Sequence, residues 1–87
     1  MNMIQKFAVV TVQEELDKRK ITQQIKGLLK KMPRVEINGK EILISFDEDK
    51  TDNEVRQAVK ILLAGEKIVH VLIFDNEYRL TNYLFYR

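Results

Sequence analysis

Residues 34–46 read Arg-Val-Glu-Ile-Asn-Gly-Lys-Glu-Ile-Leu-Ile-Ser-Phe. Asn-Gly is the preferred pair for a two-residue type I′ hairpin loop, which needs positive φ at both positions. Centring the loop on Asn38-Gly39 pairs Ile37 with Lys40 and Val35 with Ile42. Val35, Ile37, Ile42, Ile44 and Phe46 then share one face, and Arg34, Glu36, Glu41 and Ser45 share the other. Turn chemistry and period-two alternation agree, which is what specifies a register. The hairpin lies mid-chain with a helical pattern on each side of it, and that placement limits the folds available.

Upstream, residues 4–10 (Ile-Gln-Lys-Phe-Ala-Val-Val) are apolar at both parities, the mark of an interior strand. Thr11 and Glu14 have capping-box spacing, so a helix is expected to open there. Ile21, Ile25, Leu28, Leu29 and Met32 follow at helical spacing until Pro33, before which helical angles are disfavoured. Lys30 and Lys31 fall in the last turn, where the helix dipole favours cations. Val12 and Leu16 lie opposite this apolar arc, which implies a bend or restart near residues 17–20 and a loop-side contact for Leu16.

Downstream, residues 47–50 form a polar loop and Thr51 with Glu54 makes a second capping box. Val55, Ala58, Val59, Leu62 and Leu63 keep the i, i+3, i+4, i+7, i+8 pattern, and Gly65 suits the left-handed residue after a helix. Residues 67–74 form a second strand apolar on both faces, residues 75–77 turn the chain, and residues 78–86 form a last strand.

The order strand–helix–strand–strand–helix–strand–strand predicts a single α+β domain over residues 1–87. It resembles the split βαβ, ferredoxin-like two-layer sandwich, βαββαβ with an extra C-terminal antiparallel strand. Right-handed crossovers would put both helices on one face of the sheet. The expected strand order is residues 78–86, 67–74, 4–10, 41–46, 34–38, which keeps both doubly apolar strands interior. A winged helix-turn-helix with residues 52–64 as recognition helix is the runner-up. It lacks a second helix across a short turn, and its acidic helix start would face phosphates.

With 87 residues there is room for one core, and stability on the order of 5 kcal/mol is expected. The chain has no Cys, so neither a disulfide nor a thiolate zinc site can brace it, a composition suited to a reducing cytoplasm. No apolar run approaches the roughly 18 residues that span a bilayer, so no membrane association is expected. Residues 1–6 lack the pattern of a secretory leader. Charge is segregated. Residues 18–40 carry Lys18, Arg19, Lys20, Lys26, Lys30, Lys31, Arg34 and Lys40 against Glu36 alone, a net of +7. Residues 41–54 carry six acids against Lys50, a net of −5. Such a dipole can steer a partner or draw copies together.

Little in the chain points to chemistry. The lone histidine, His70, sits in the most apolar strand, where it suits a packed, hydrogen-bonded role. Thr11, Thr22, Ser45, Thr51 and Thr81 lack any nucleophile motif. The three glycines are scattered, so there is no phosphate loop. The acids of 47–54 lack the glycine and spacing of a calcium loop. No catalytic residues, metal or cofactor are therefore expected. The topology also resembles RNA-recognition domains, but residues 41–46 lack their basic-Gly-aromatic pattern.

The leading expectation is a small cytoplasmic, non-enzymatic protein-binding domain that works by occupying a surface. An inhibitor or adaptor, including those made by phages and mobile elements, fits that description. Helices confined to one face leave the other sheet face open, and it should carry Leu43 and one parity of residues 68–74. The candidate partner-binding residues are Tyr78, Arg79, Tyr83, Phe85, Tyr86 and Arg87, since aromatic and Arg side chains anchor interfaces. A protein partner, or a second copy through the sheet as a homodimer, is expected. The alternative is nucleic acid held by Lys18, Arg19, Lys20, Lys26, Lys30 and Lys31 of the first helix, weakly and with strong salt dependence.

Overall fold

The computed structural model describes residues 6–28, 34–46 and 50–86, with backbone alone over 24–28. The element order is β1 (Lys6–Val12), α1 (Lys18–Leu28), β2 (Arg34–Asn38), β3 (Glu41–Phe46), α2 (Asp52–Leu62), β4 (Ile68–Asp75) and β5 (Leu80–Phe85). The strands form one antiparallel sheet in the order β2-β3-β1-β4-β5. The fold is α+β. Its radius of gyration, 12.1 Å, is that of a compact chain of this length.

β1 runs further than its apolar composition suggests. The Val9-Val10-Thr11-Val12 stretch is β-branched throughout and is paired on both sides, so it stays extended past residue 10. The Thr11–Glu14 capping box therefore does not form. Thr11 is a strand residue, and α1 begins at Lys18, where the Asp17 carboxylate accepts hydrogen bonds from the Arg19 (3.0 Å) and Lys20 (3.4 Å) amides. This resolves the misplaced arc. Val12 is a buried strand residue, and Leu16 lies in the loop, half-buried against the core, its amide bonded to the Gly39 carbonyl. The end of α1 at Pro33, the dipole placement of Lys30 and Lys31, and the acidic loop 47–49 lie outside the described residues.

The hairpin loop is Gly39-Lys40, one residue later than the Asn-Gly preference indicates. Asn38 pairs with Glu41, Ile37 with Ile42 and Val35 with Ile44. Only Gly39, at φ +62°, is left-handed, as in a type II′ turn with glycine first. The pairing moves by two residues, an even number, so every side chain keeps its face.

α2 follows its sequence signals closely. The Thr51 hydroxyl accepts from the Glu54 amide (3.1 Å), and the Glu54 carboxylate accepts from the Thr51 amide (3.0 Å). This reciprocal bond holds the Glu54 carboxyl below its usual range: the Thr51 amide contributes most, then the Thr51 side chain, against a small opposing effect of burial. Val55, Val59, Leu62 and Leu63 are buried, and Gly65 turns the chain at φ +93°.

Both helices cover the same sheet face. Ala8, Val10 and Val12 of β1, Ile42, Ile44 and Phe46 of β3, and Val71 and Ile73 of β4 form one buried cluster with Ile21 of α1 and Val55, Val59, Leu62 and Leu63 from α2 and its C-cap. Val35, Ile37, Leu84 and Tyr86 pack around it from the two edge strands. A bulge sets Val12 opposite Ile68, so Ile68 turns back to the core. The Asp52 carboxylate, at the start of α2, is ion-paired with Lys6 and accepts from the Thr81 hydroxyl (3.3 Å), which ties β1 and β5 to the helix.

Candidate functional site

Along a strand, side chains alternate between faces, so the parity that feeds the helices leaves its complement on the other side. The registers line these complements up in three rows across the open face. The first runs Arg34, Ser45, Phe7, Phe74, Leu80; the second Glu36, Leu43, Val9, Leu72, Tyr83; the third Asn38, Glu41, Thr11, His70, Phe85. No described element lies over them. The centre is apolar and half-buried by its own neighbours: Phe7, Val9, Leu43, Leu72 and Phe74. On β5 the cover ends, leaving Leu80, Tyr83 and Phe85 at 54, 53 and 62% exposed.

One side of the face is therefore aromatic and the other acidic. At the acidic side an open concavity of about 530 Å³ is lined by Val9, Leu43, Glu36, Glu41 and Asn38, among others.

Two polar groups of the face engage one another. The Thr11 hydroxyl and His70 Nε2 are 2.9 Å apart, and the His70 ring stacks on Tyr83 at 6.0 Å. A hydroxyl beside an imidazole invites comparison with a nucleophile and its base. A triad also needs a carboxylate behind the histidine. Here Glu41 stands on the far side of Thr11, two strands or about 10 Å from His70. The strands involved are interior, so their amides are committed to ladders and cannot form an oxyanion hole. The pair reads as a polar stitch between β1 and β4. Among the described residues no cluster of three His, Cys, Asp or Glu could hold a metal ion.

The structure disperses the aromatic C-terminal set. Tyr83 and Phe85 share the open face. Tyr78, in the turn before β5, is 74% exposed and stacks on Phe7 with ring centroids 5.0 Å apart. Arg79 is spent on its own turn: its amide and Nε both bond the Asp75 carboxylate (3.0 Å each), and its guanidinium also pairs with Glu77. The Arg79 amide, followed by that of Glu77 and the Arg79 side chain, holds the Asp75 carboxyl below its usual range. Tyr86 packs against the core on the helix side, away from Tyr83 and Phe85, and Arg87 lies outside the described residues. Phe7 and Val9 are the members missed from sequence, while Leu72 and Phe74 belong to the one of two parities of residues 68–74 that the sequence left open. β1 and β4 are apolar at both parities, so composition alone does not say which half faces out.

Of the basic set, Lys18, Arg19 and Lys20 are exposed at the first turn of α1. Lys26 lies within α1 with its side chain outside the described residues, as are Lys30 and Lys31. No described helix is long and apolar enough to cross a membrane. No protein-family model, curated protein or solved structure matches the chain.

Proposed function

We propose that this chain is a small protein-binding domain of the split βαβ, ferredoxin-like type, without enzymatic activity, that acts by occupying a partner's surface as an inhibitor or adaptor. The contact surface is the open sheet face with the C-terminal edge strand. One observation carries the reading: Phe7, Val9, Leu43, Leu72 and Phe74 form a contiguous apolar centre opposite both helices, continuing into exposed Leu80, Tyr83 and Phe85. Contiguous apolar surface of this kind marks interaction sites in soluble proteins. The lack of cysteine suits a reducing, cytoplasmic setting, and an origin in a phage or mobile element is part of the same reading.

The test is affinity capture from the native host with the unaltered chain and with Leu72→Lys, followed by amide exchange on the purified complex. A partner lost from the variant, whose binding protects residues 7–11, 41–45, 70–74 and 80–85, supports the reading. Protection confined to the helices refutes it. A second reading rests on Lys18, Arg19 and Lys20 standing exposed together. Nucleic acid that co-purifies and is released by salt would favour it.

A further inference from the structure

β5 has main-chain groups with no strand to receive them. In an antiparallel ladder, alternate residues exchange both their hydrogen bonds with the neighbouring strand, and those between point the other way. The Tyr86 amide donates to the Val69 carbonyl of the β4 side (2.8 Å). By alternation Leu84 and Asn82 also face β4, opposite Val71 and Ile73. Tyr83 and Phe85 therefore aim their N–H and C=O groups away from the sheet, where no described strand lies.

That edge is unguarded. Residues 80–86 read Leu-Thr-Asn-Tyr-Leu-Phe-Tyr, without a charge, proline or glycine. Natural edge strands are blunted by charges, proline or bulges. The one bulge here falls between Leu80 and Asn82 and leaves the rest of the strand straight. At the opposite edge, β2 places exposed Arg34 and Glu36 within the strand.

We propose that the occupant of this edge is a second copy of the chain, with β5 pairing antiparallel to β5 about a two-fold axis at Leu84 to join two five-stranded sheets into one. The strand complements itself in that register. Tyr83 meets Phe85 of the second copy and Phe85 meets its Tyr83, so the outward-facing residues are the ones paired, with about four main-chain hydrogen bonds. On the open face this sets two aromatic cross-strand pairs side by side, an arrangement that stabilises sheets. On the helix face Leu84 lies beside Leu84, extending the half-buried rim of each core. No charge opposes another. Joining β5 to β2 would instead set Arg34 and Glu36 against the aromatics and propagate without closing, whereas the two-fold closes at two copies. The contact is well under the roughly 1,600 Å² of a standard interface, so the dimer is weak and concentration-dependent.

This inference rests on the reading of β5 as a binding edge, and it is tested on the unaltered chain. Sedimentation and amide exchange by NMR are measured from about 10 µM to about 1 mM, a range that spans weak association. The expected result is a mass rising from 10.3 kDa toward twice that value. Protection of the Tyr83 and Phe85 amides should rise with it, by about tenfold, while Asn82, Leu84 and Tyr86 are protected at every concentration. Phe85→Pro removes an outward donor and spares the ladder to β4, so it should abolish the mass increase. Phe85→Thr keeps the donor but takes one ring from each aromatic pair, so it should weaken the association without abolishing it. A monomer across the whole range overturns the proposal. So does a dimer in which Tyr83 and Phe85 amides gain no protection. If residues 9 and 72 carry the change instead, two copies meet face to face; edge pairing is then refuted while the open face stands as a docking surface.

Discussion

Ile73 and Leu72 are neighbours on β4 with opposite fates, and truncating each to alanine tests the division of the sheet into a covered and an open face. Ile73 is fully buried between the sheet and the helices. Removing a buried Ile side chain to Ala costs about 2–5 kcal/mol, the transfer term plus the cavity it leaves. Leu72 is half-buried by cross-strand neighbours only. Complete burial of a leucine is worth about 1.5–3 kcal/mol, so half of it is about 1 kcal/mol, and an open surface leaves no cavity. A chain of 87 residues holds about 4–13 kcal/mol in total. Ile73→Ala should therefore remove a large share of the stability, and Leu72→Ala a small one. Urea unfolding followed by far-UV circular dichroism, at concentrations of about 10 µM where a weak contact is dissociated, reads both. With a slope near 1 kcal/mol/M, the midpoint should fall by about 2 M or more for Ile73→Ala and by about 1 M or less for Leu72→Ala. Equal losses at unchanged slope would show that something in the chain covers the second face, and the reasoning behind the docking surface would be wrong.

Two further outcomes follow from local hydrogen bonds. Thr51→Ala removes the acceptor for the Glu54 amide and should cost about 1 kcal/mol in the same unfolding assay, whereas Thr51→Ser should cost little. Asp75 and Glu54 both have folded pKa values below their ordinary range, so each stabilises the fold above about pH 4. That contribution is lost as pH falls through the lowered folded values. Melting temperature should drop in acid, and Asp75→Asn should flatten that decline; an unchanged acid limb would contradict the role of the Asp75 turn.

Local signals with a single physical reading were legible in the sequence. The Thr51–Glu54 box, the apolar stripe of α2, Gly65 and the polarity of the 34–46 hairpin all come from short-range chemistry. What was not legible was decided by tertiary pairing. Thr11-x-x-Glu14 is a sound cap motif, yet β1 gains ladder bonds on both sides through Val12, and those outweigh one cap. The hairpin loop took the glycine at its first position, avoiding a left-handed asparagine. At the candidate site, Tyr83 and Phe85 were readable as aromatic residues two positions apart in a strand, which sets them on one face. The outward parity of β1 and β4 was not, because a strand apolar on both sides carries no phase, and only the register with β3 and β5 supplies one. Tyr86 went astray for the same reason: one step along β5 moves a ring from the open face to the core.

The turn that leads into β5 has one more consequence. Tyr78 sits at φ +62°, a conformation that costs a residue with a side chain about 1–2 kcal/mol. Its ring lies on Phe7, and an aromatic stack returns about 0.5–1.5 kcal/mol. The stack offsets part of that backbone cost, and the turn is held besides by the Tyr78 amide on the Asp75 carbonyl and by the Asp75 carboxylate, which accepts from the Glu77 and Arg79 amides. Val9, Leu43 and Leu72 are pinned by main-chain ladders on both flanks. The apolar plane is thus a preset relief from its middle to this corner, and any surface laid on it would have to match that relief rather than mould it.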